Sequence, residues 1–370
     1  MPSSKNYDII TIGTATRDVF LTSLLFSAKG GSASGGKVLR DKSHLKKIGF
    51  ATGEAQCFAL GGKIEIGKPV LATGGGATNS AATFSRQGLK TAVLIKIGED
   101  QAGKDILEEL KKEKVKVLPL NFKFQIPNSN NNGTAYSTVL LASGGERTIL
   151  VYRGASEDLT SKEIPFNELK SKWVYISPGK MPLETISKIF NHFYKNKTFI
   201  AFNPSKYFIE MGLKKLKPFL EKTKVFILNR EEASYLTGVD YHKEKEIFKK
   251  LDESVNGIAV MTDGPSGVLV SDCCRIYKAR VFKEEKAIDR TGAGDAFGSG
   301  FVAGLIQTRE KCKKGLCGIN NIEYAIRLGS ANATSVIEQI GAKAGILTKK
   351  EFQKNKRWKK LPIKNLVAKS

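Results

Sequence analysis

The sequence predicts an α/β protein: a three-layer α/β/α domain built on a doubly wound sheet, with a small β-sheet lid. Between residues 173 and 262, short apolar segments alternate with helical segments, and repeated βα units of this kind form parallel sheets with crossover helices. The apolar run at 9–12 ends at a glycine, which is typical of a buried first strand. Residues 57–72 and 134–152 instead alternate apolar and polar positions around glycine-rich turns, which indicates short strands of a separate, half-exposed sheet.

Composition limits the class of protein. The chain has 370 residues, 41% of them hydrophobic, enough for one large or two small domains with a sizeable core. No apolar run is long enough to span a bilayer, and the first residues lack the profile of a signal peptide, so we expect a cytoplasmic protein with no membrane partner. The five cysteines and three histidines show no zinc-site spacing, and we expect reduced thiols and no structural metal.

The strongest bias is the net charge of +24, from 60 Lys and Arg against 36 Asp and Glu. Such an excess attracts polyanions, among them nucleic acid and a small substrate such as ATP. The basic residues are concentrated only at 349–370, where nine basic side chains accompany one acidic side chain. We expect this segment to be a solvated basic helix and tail; an arm that binds nucleic acid is the alternative.

Two ligand-facing positions are expected in the first hundred residues. Asp18 follows the first strand by a few residues, at the edge where open α/β sheets hold ligands; a helix cap or a loop aspartate is the alternative. The glycines at 74–76 lead into an alanine-rich helix with Asn79 on its first turns, so backbone and amide can approach a ligand hydroxyl there. For Asn79, a capping or solvent-facing amide is the alternative.

The lid is assigned to two segments, about 19–72 and about 119–155, inserted into a main domain that covers 1–348. Within them, the small polar stretch at 27–36 indicates a mobile loop, and 134–142 with 148–152 predict a β-hairpin across an SGGE turn. Arg153 comes at the end of the second hairpin strand, where the lid has to meet the site. The half-apolar alternation of these strands leads us to expect a homodimer formed through the lid.

Polar residues follow the predicted strands of the second half. Asn203, Asn229 and Thr262 each end a strand, and the ends of parallel strands lie along one edge of a sheet. These side chains are therefore expected to line a single crevice. The DGPSG sequence that follows Thr262 predicts a tight turn with free backbone amides.

The stretch at 289–304, DRTGAGDAFGSGFVAG, predicts a tight turn that opens a buried helix. Small residues at 292–294 let the backbone approach a ligand, and the first N–H groups of a helix point outward as an anion hole. Asp295 lies at the mouth of this hole, where its carboxylate can accept the proton of an attacking hydroxyl while the amides hold a phosphoryl group. The alternative is an ordinary first-turn aspartate with ordinary turn glycines.

Four motifs in order resemble those of the ribokinase-like carbohydrate kinases, the PfkB family. DRTGAGD resembles the second signature of that family, GGGATN its glycine-rich substrate segment, NREE its NxxE motif and TDGPSG its nucleotide loop. The resemblance extends from about residue 7 to about residue 347. It implies transfer of the γ-phosphoryl group of ATP to a substrate hydroxyl, with Mg²⁺.

The resemblance also implies a role for each matching residue. Asp295 is the expected catalytic base, and the amides of Gly292, Ala293 and Gly294 are the expected anion hole. The remaining positions are Asp18, Gly75, Asn79 and Arg153 for the acceptor, Asn229, Thr262, Gly264 and Asn332 for the nucleotide, Glu232 for Mg²⁺ through water, and Asp289 with Thr291 for a monovalent cation such as K⁺.

Some positions depart from the family pattern. GGGATN stands where ribokinases typically have GGKGAN, which argues against free ribose as the acceptor. Lys96 stands where the first family signature usually has glycine. Arg153 resembles a position from which some members contact acidic or phosphorylated sugars, so an anionic acceptor is considered; a lid arginine paired to Glu157 or Asp158 is the alternative.

Three functions are therefore compared. The first is a kinase for a sugar or sugar derivative, and the second is a nucleoside kinase of the adenosine type, suggested by FNPSKYFIE after a strand. The third is a catalytically silent regulator that binds nucleic acid through its basic tail. The intact Asp295 in a predicted anion hole argues against the third.

Overall fold

The computed structural model describes seven ranges of the chain: 7–22, 36–49, 54–120, 133–142, 147–272, 275–309 and 319–368. The loop expected at 27–36, except its last residue, and the predicted SGGE turn lie outside these ranges. So do Cys273, Cys274, Cys312 and Cys317, whereas Cys57 is a free thiol.

The strands, in chain order, are β1 (Tyr7–Gly13), β2 (Thr16–Thr22), β3 (Gly36–Leu39), β4 (Ala55–Phe58), β5 (Val70–Gly74), β6 (Thr91–Leu94), β7 (Lys116–Val117), β8 (Ala135–Leu141), β9 (Arg147–Tyr152), β10 (Ser171–Ser177), β11 (Phe199–Phe202), β12 (Val225–Asn229), β13 (Ile258–Thr262), β14 (Val268–Ser271), β15 (Arg275–Ala279) and β16 (Ile363–Ala368). The helices are α1 (Lys42–Lys47), α2 (Gly76–Arg86), α3 (Gln101–Lys112), α4 (Leu183–Lys195), α5 (Lys206–Ile209), α6 (Gly212–Leu220), α7 (Arg230–Thr237), α8 (Glu244–Glu253), α9 (Ala293–Arg309), α10 (Ile319–Ile337) and α11 (Lys349–Lys354).

The central sheet has ten strands in the order β16-β15-β14-β13-β12-β11-β10-β1-β6-β7. From β7 to β13 all neighbours are parallel, as the alternating βα pattern predicts, and β14, β15 and β16 extend the sheet in antiparallel pairs. The strand order reverses between β1 and β10. Ligands bind beyond the carboxyl ends of strands at such a switch point, so the site is expected there.

Helices cover both faces of the sheet, which gives the predicted three layers. Helices α4 to α8 pack on one face in a core that contains Phe190, Phe202 and Phe226, all fully buried. Helices α2, α9 and α10 pack on the other face around Tyr175 and Phe301, also fully buried. Alternate residues of the same strand enter opposite cores, because successive side chains of a strand point to opposite faces.

The lid is a four-stranded sheet in the order β5-β2-β8-β9. Its composition differs from the expected one in two respects. Asp18 lies within the lid strand β2 and not in a loop after β1, and β4 pairs with β3 in a separate two-stranded sheet. The first difference arises because β2 pairs with β5 and β8, which lie far along the chain, and a local pattern does not identify such partners.

The C-terminal segment contains the expected helix, α11, but the residues after this helix do not form a solvated tail. Strand β16 pairs antiparallel with β15 and forms one edge of the central sheet. Phe352 and Trp358 are both only 3% exposed and pack against the core under α10. The composition of this segment did not predict the packing, because exposed lysines outnumber the two buried aromatic residues.

Within the described ranges, none of the helices combines the length and the apolar character that crossing a membrane requires.

Candidate active site

The site begins where β1 and β10 end side by side. Gly75 precedes α2 with a φ of +94°, and a side chain there would fall 2.5 Å from the carbonyl oxygen of Thr14. Only glycine fits this left-handed position against the backbone. The amide of Gly76 donates to the Thr14 hydroxyl at 3.0 Å, which fixes the start of α2 over the switch point. The glycine-rich turn therefore packs closely on the end of β1, and its approach to a ligand stays a prediction.

Asp295 and Asn79 meet above this turn. The Asn79 side chain, 4% exposed, donates from Nδ2 to Oδ2 of Asp295 at 2.9 Å. The Oδ1 atom of Asn79 is buried and has no hydrogen-bond partner among the described residues. Because a buried amide oxygen without a donor is costly, it is suited to accept a hydrogen bond from a ligand hydroxyl.

The carboxyl group of Asp295 lies in the first turn of α9. Burial raises its pKa above the usual range for aspartate, while the hydrogen bond from Asn79 and the charge of Lys343 act in the opposite direction. A carboxylate with a raised pKa is a stronger base than an exposed one.

The predicted anion hole is the start of α9. Gly292 has a φ of +77°, and a Cβ there would lie 2.4 Å from the Cβ of Ala342, so the turn fits only glycine. Around Gly294 a Cβ would meet no atom within 4 Å, so the space over the helix start is open. The N–H groups of a first helical turn have no acceptor within the helix. The amide of Ala293 contacts the carbonyl of Arg290, just before the helix, at 3.4 Å.

Asp18 faces the other side of the glycine-rich turn. It is 5% exposed and accepts hydrogen bonds on Oδ1 from the hydroxyls of Thr16, at 2.9 Å, and Ser137. Burial raises the pKa of Asp18, and the hydrogen bonds from the two hydroxyls lower it. The negative charge of Asp289 raises it further. A side chain at Gly74 would collide with Oδ2 of Asp18, and one at Gly76 would touch Oδ1 of Asp295 at 3.4 Å. The glycine turn thus lies between the two carboxyl groups.

Asn229 and Glu232 form a reciprocal cap on α7. Oδ1 of Asn229 accepts from the backbone amide of Glu232 at 2.8 Å, and Oε2 of Glu232 accepts from the amide of Asn229 at 2.9 Å. Burial is the main cause that raises the pKa of Glu232, and the negative charge of Asp295 adds to it. The cap fixes both residues at the end of β12, beside Thr262 at the end of β13.

Thr262 opens onto a cavity of about 230 Å³ that reaches the anion hole. Its walls are mainly apolar and are contributed by four parts of the chain. They include Thr262, Gly264, Phe282, Ala293, Gly294, Phe297, Ser330, Ala333 and Thr334. An apolar cleft that ends at a helix N-terminus suits a nucleotide, with the nucleobase in the cleft and the phosphates at the helix N-terminus.

Asn332 does not line this cavity, contrary to the expectation that it lies beside the adenine. It is fully buried, and its Nδ2 donates to the carbonyl of Ala296 at 2.9 Å and to Oγ1 of Thr83 at 3.3 Å. Its Oδ1 accepts from the amide of Leu347 at 2.9 Å. Asn332 therefore joins α10, α9 and α2, because its face of α10 points inward while Ser330 and Thr334 point to the cavity.

Asp289 and Thr291 are adjacent below the anion hole. Asp289 is fully buried and accepts from the amides of Thr291 at 2.9 Å and Gly341 at 3.0 Å. The hydroxyl oxygen of Thr291 is buried and has no partner among the described residues. A carboxylate beside an unpaired hydroxyl oxygen is a donor set that suits a hard cation.

Two basic residues singled out in the sequence are paired. Arg153, about half exposed, forms an ion pair with Glu157 at 3.3 Å, which is the alternative considered for it. Lys96 forms an ion pair with Glu163 at 2.7 Å and donates to the carbonyl of Asp158. Contact between Arg153 and an acceptor stays a prediction that requires this pair to open.

The chain is similar in sequence to known kinases. A family model described as "pfkB family carbohydrate kinase" matches residues 43–349. An uncharacterized sugar kinase of Archaeoglobus fulgidus is 27% identical over 71% of this chain and 97% of its own length. A cytidine kinase of Thermococcus kodakarensis is 28% identical over 74% of this chain and 91% of its own length.

Solved structures share the fold. The ribokinase of Arabidopsis thaliana, determined with ribose and ATP, superposes with a TM-score of 0.67 at 17% identity and covers 96% of this chain and 99% of its own. At this identity the similarity concerns the fold alone.

Proposed function

The chain belongs to the pfkB family of carbohydrate kinases, and we propose that it transfers the γ-phosphoryl group of ATP to a hydroxyl of a sugar or sugar derivative. The observation that carries the proposal is the contact between Asp295 and Asn79 at the N-terminus of α9. A carboxylate, an unpaired amide oxygen and the backbone amides of a helix N-terminus converge there, and these groups suit phosphoryl transfer to an alcohol.

In this proposal the acceptor lies between Asp18, Asn79 and Asp295. Asp18 and Asn79 orient its hydroxyls, and Asp295 accepts the proton of the attacking one. The amides of Gly292, Ala293 and Gly294 stabilise the charge of the transferred group. Because catalysis of this kind consists of positioning and charge stabilisation, no covalent nucleophile is needed.

The nucleotide is assigned to the cavity that begins at Thr262 and Gly264 and ends at the anion hole. Asn229 and Glu232 would hold Mg²⁺ and phosphates through water, since their cap uses one Glu232 oxygen and leaves the other for a ligand. Bound Mg²⁺ neutralises charge on the β- and γ-phosphates.

Asp289 and Thr291 fit a monovalent cation such as K⁺, and the unpaired Thr291 hydroxyl supports this assignment. Replacing NaCl with KCl at equal ionic strength is then expected to raise the melting temperature of the native protein. The Thr291→Val variant tests the assignment, because it keeps the shape of the side chain and removes the ligand oxygen. An equal response to both salts in the native protein would rule the cation site out.

The relatives, and not the structure of the lid, indicate which classes of acceptor to assay. The cytidine kinase relative makes nucleosides the second class to assay, while the pairing of Arg153 with Glu157 weakens the case for an acidic sugar. The regulator that binds nucleic acid is disfavoured, because its proposed basic tail is partly a strand of the central sheet.

We also propose that the lid mediates a homodimer. Strand β9 is an edge strand, and its residues Ile149, Leu150, Val151 and Tyr152 are each at least 40% exposed. A long apolar edge strand is unusual on a monomer, and pairing with a second copy would cover it. Light scattering on the native protein and on Leu150→Lys tests this: a dimer and a monomer, respectively, are expected. A monomeric native protein would rule the homodimer out.

The cytoplasmic location of the protein stays a prediction.

The proposed function is tested by supplying Mg²⁺ and ATP with a panel of ribose, fructose, 2-keto-3-deoxygluconate, phosphosugars and nucleosides. The phosphorylated product is identified by mass spectrometry. A product that gains one phosphoryl group and requires both ATP and acceptor supports the kinase and identifies its substrate class. Hydrolysis of ATP that no acceptor stimulates would count against it.

A further inference from the structure

Lys343 is the one buried lysine among the described residues, with 5% of its surface exposed. It lies in the segment 341–347, between α10 and α11. Burying an ammonium group is costly unless it is paired and hydrogen-bonded. The position of this cation therefore requires a structural or functional reason.

The ammonium group of Lys343 is hydrogen-bonded to the end of lid strand β5. Nζ donates to the carbonyl of Thr73 at 3.1 Å and to its hydroxyl at 2.5 Å, and pairs with Oε1 of Glu109 at 3.3 Å. The Thr73 hydroxyl in turn donates to Oε2 of Glu109 at 2.7 Å. Thr73 belongs to lid strand β5 and directly precedes the glycine turn at 74–76. The three residues form a closed hydrogen-bonded triangle.

The same short segment supports the anion hole. The amide of Gly341 donates to Asp289 at 3.0 Å, and Ala342 packs against Gly292, where even a methyl group would not fit. Lys343 follows these two residues directly. The segment 341–343 therefore contacts the phosphate-binding turn with its first two residues and the lid with its third.

We propose that Lys343 is a positioning residue that joins lid strand β5 to the anion hole, so that the acceptor turn and the phosphate-binding turn keep one fixed geometry. This inference rests on the proposed function, because it assigns the two turns to acceptor and phosphate. It differs from a packing role in its prediction: without Lys343 the turns move independently, and binding of the acceptor suffers more than binding of ATP.

The charge of Lys343 gives the proposal a second consequence. It lowers the pKa values of both Asp295 and Asp18, which burial raises. The other groups that face Asp295 are Asn79 on α2, the phenol of Tyr175 on β10 and the carboxyl of Glu232 on α7, and among these only Asn79 favours its charged form. Lys343 is thus a cation that opposes the effect of burial on the pKa of the proposed base, and burial lowers the pKa of its own ammonium group.

The test compares Lys343→Met with Lys350→Met. Methionine keeps the length of the side chain without its charge, and Lys350 is an exposed lysine seven residues further along the chain. For Lys343→Met we expect kcat/KM for the acceptor to fall about ten- to a hundredfold, with the KM for ATP unchanged. The acidic limb of the pH profile should move to higher pH, because a nearby cation has been removed. Lys350→Met should match the native protein.

Hydrogen exchange supplies a readout that does not depend on turnover. In Lys343→Met, residues 70–76 and 289–295 should lose protection together, whereas Lys350→Met should leave both unchanged. If Lys343→Met does not fold, Thr73→Val replaces it: this variant removes the accepting hydroxyl and should raise the KM for the acceptor alone.

The outcomes separate the two proposals. No turnover by the native protein would contradict the proposed function, and exchange would still decide the structural link. Normal native turnover with an unmoved pH limb, or equal losses for acceptor and ATP, would overturn the role of Lys343.

Discussion

Replacement of Gly292 by alanine tests the construction of the anion hole. The backbone at Gly292 has a φ of +77°, and the new Cβ would lie 2.4 Å from the Cβ and 2.8 Å from the Cα of Ala342. The variant therefore combines two perturbations: a side chain in the left-handed region and a collision with the segment that supports the turn. The collision has to push 341–343 away from the start of α9.

The two perturbations can be estimated separately. A Cβ in the left-handed region costs about 1–2 kcal/mol, and forcing an extra carbon into a packed contact costs about 1–3 kcal/mol. We therefore expect Gly292→Ala to lower the free energy of unfolding by about 2–5 kcal/mol. Displacement of the amides should also lower kcat by about 10²–10³-fold, the usual effect of losing one such donor.

Gly238→Ala is the matched control. Gly238 has a φ of +67°, and a Cβ there would meet no atom within 4 Å, so this variant carries the backbone strain without the collision. Urea unfolding should show a loss of about 1–2 kcal/mol for the control, and its kcat should equal that of the native protein. Equal losses of stability in both variants, or a normal kcat for Gly292→Ala, would refute the close packing of Ala342 on the anion hole.

Three further predictions concern the carboxyl groups and the C-terminal segment. The raised pKa of Asp295 means that the folded state binds its proton more tightly than the unfolded state, so ionised Asp295 lowers stability at neutral pH. Asp295→Asn should therefore melt above the native protein at pH 7, by a margin that shrinks as the pH falls through the folded pKa and disappears below the unfolded pKa; a lower melting temperature at pH 7 would contradict this. Asp18→Asn should raise the KM for the acceptor about ten- to a hundredfold, as expected for a weakened hydrogen bond to a charged group, without changing the KM for ATP; equal effects on both constants would argue against its role. Trp358 packs edge-on against Phe282 of the nucleotide cavity at 5.1 Å, so Trp358→Ala should cost about 3–5 kcal/mol in urea unfolding and raise the KM for ATP. A stable variant with normal KM would show that the C-terminal segment does not support the cavity.

The parts of the site that were predicted from the sequence are local. Gly292 to Asp295 form one turn and one helix start, so their arrangement follows from consecutive residues and the dipole of the helix. The predicted alignment of Asn229 with Thr262 also holds, because neighbouring parallel strands end at the same edge. The parallel order itself followed from the repeated βα units.

The parts that were missed depend on contacts between distant segments. Asn332 is a polar residue on a helix that borders the cavity, and only the rotation of α10 shows that it points inward. Lys343 resembles any other lysine of a basic chain until Thr73 and Glu109 are placed around it. In the same way, β16 joins the sheet through β15, which lies more than eighty residues earlier. No local periodicity encodes such pairings.

The central claim is that Asp295 acts as the base for phosphoryl transfer, and a coupled ADP-release assay tests it most directly. Native protein and Asp295→Asn are compared with ATP, Mg²⁺ and the acceptor found in the panel. We expect ADP release by the native protein that depends on the acceptor, and a rate about 10²–10⁴-fold lower for the folded variant, because the variant has lost its general base. Equal turnover by the two proteins would contradict the role of Asp295 as the base.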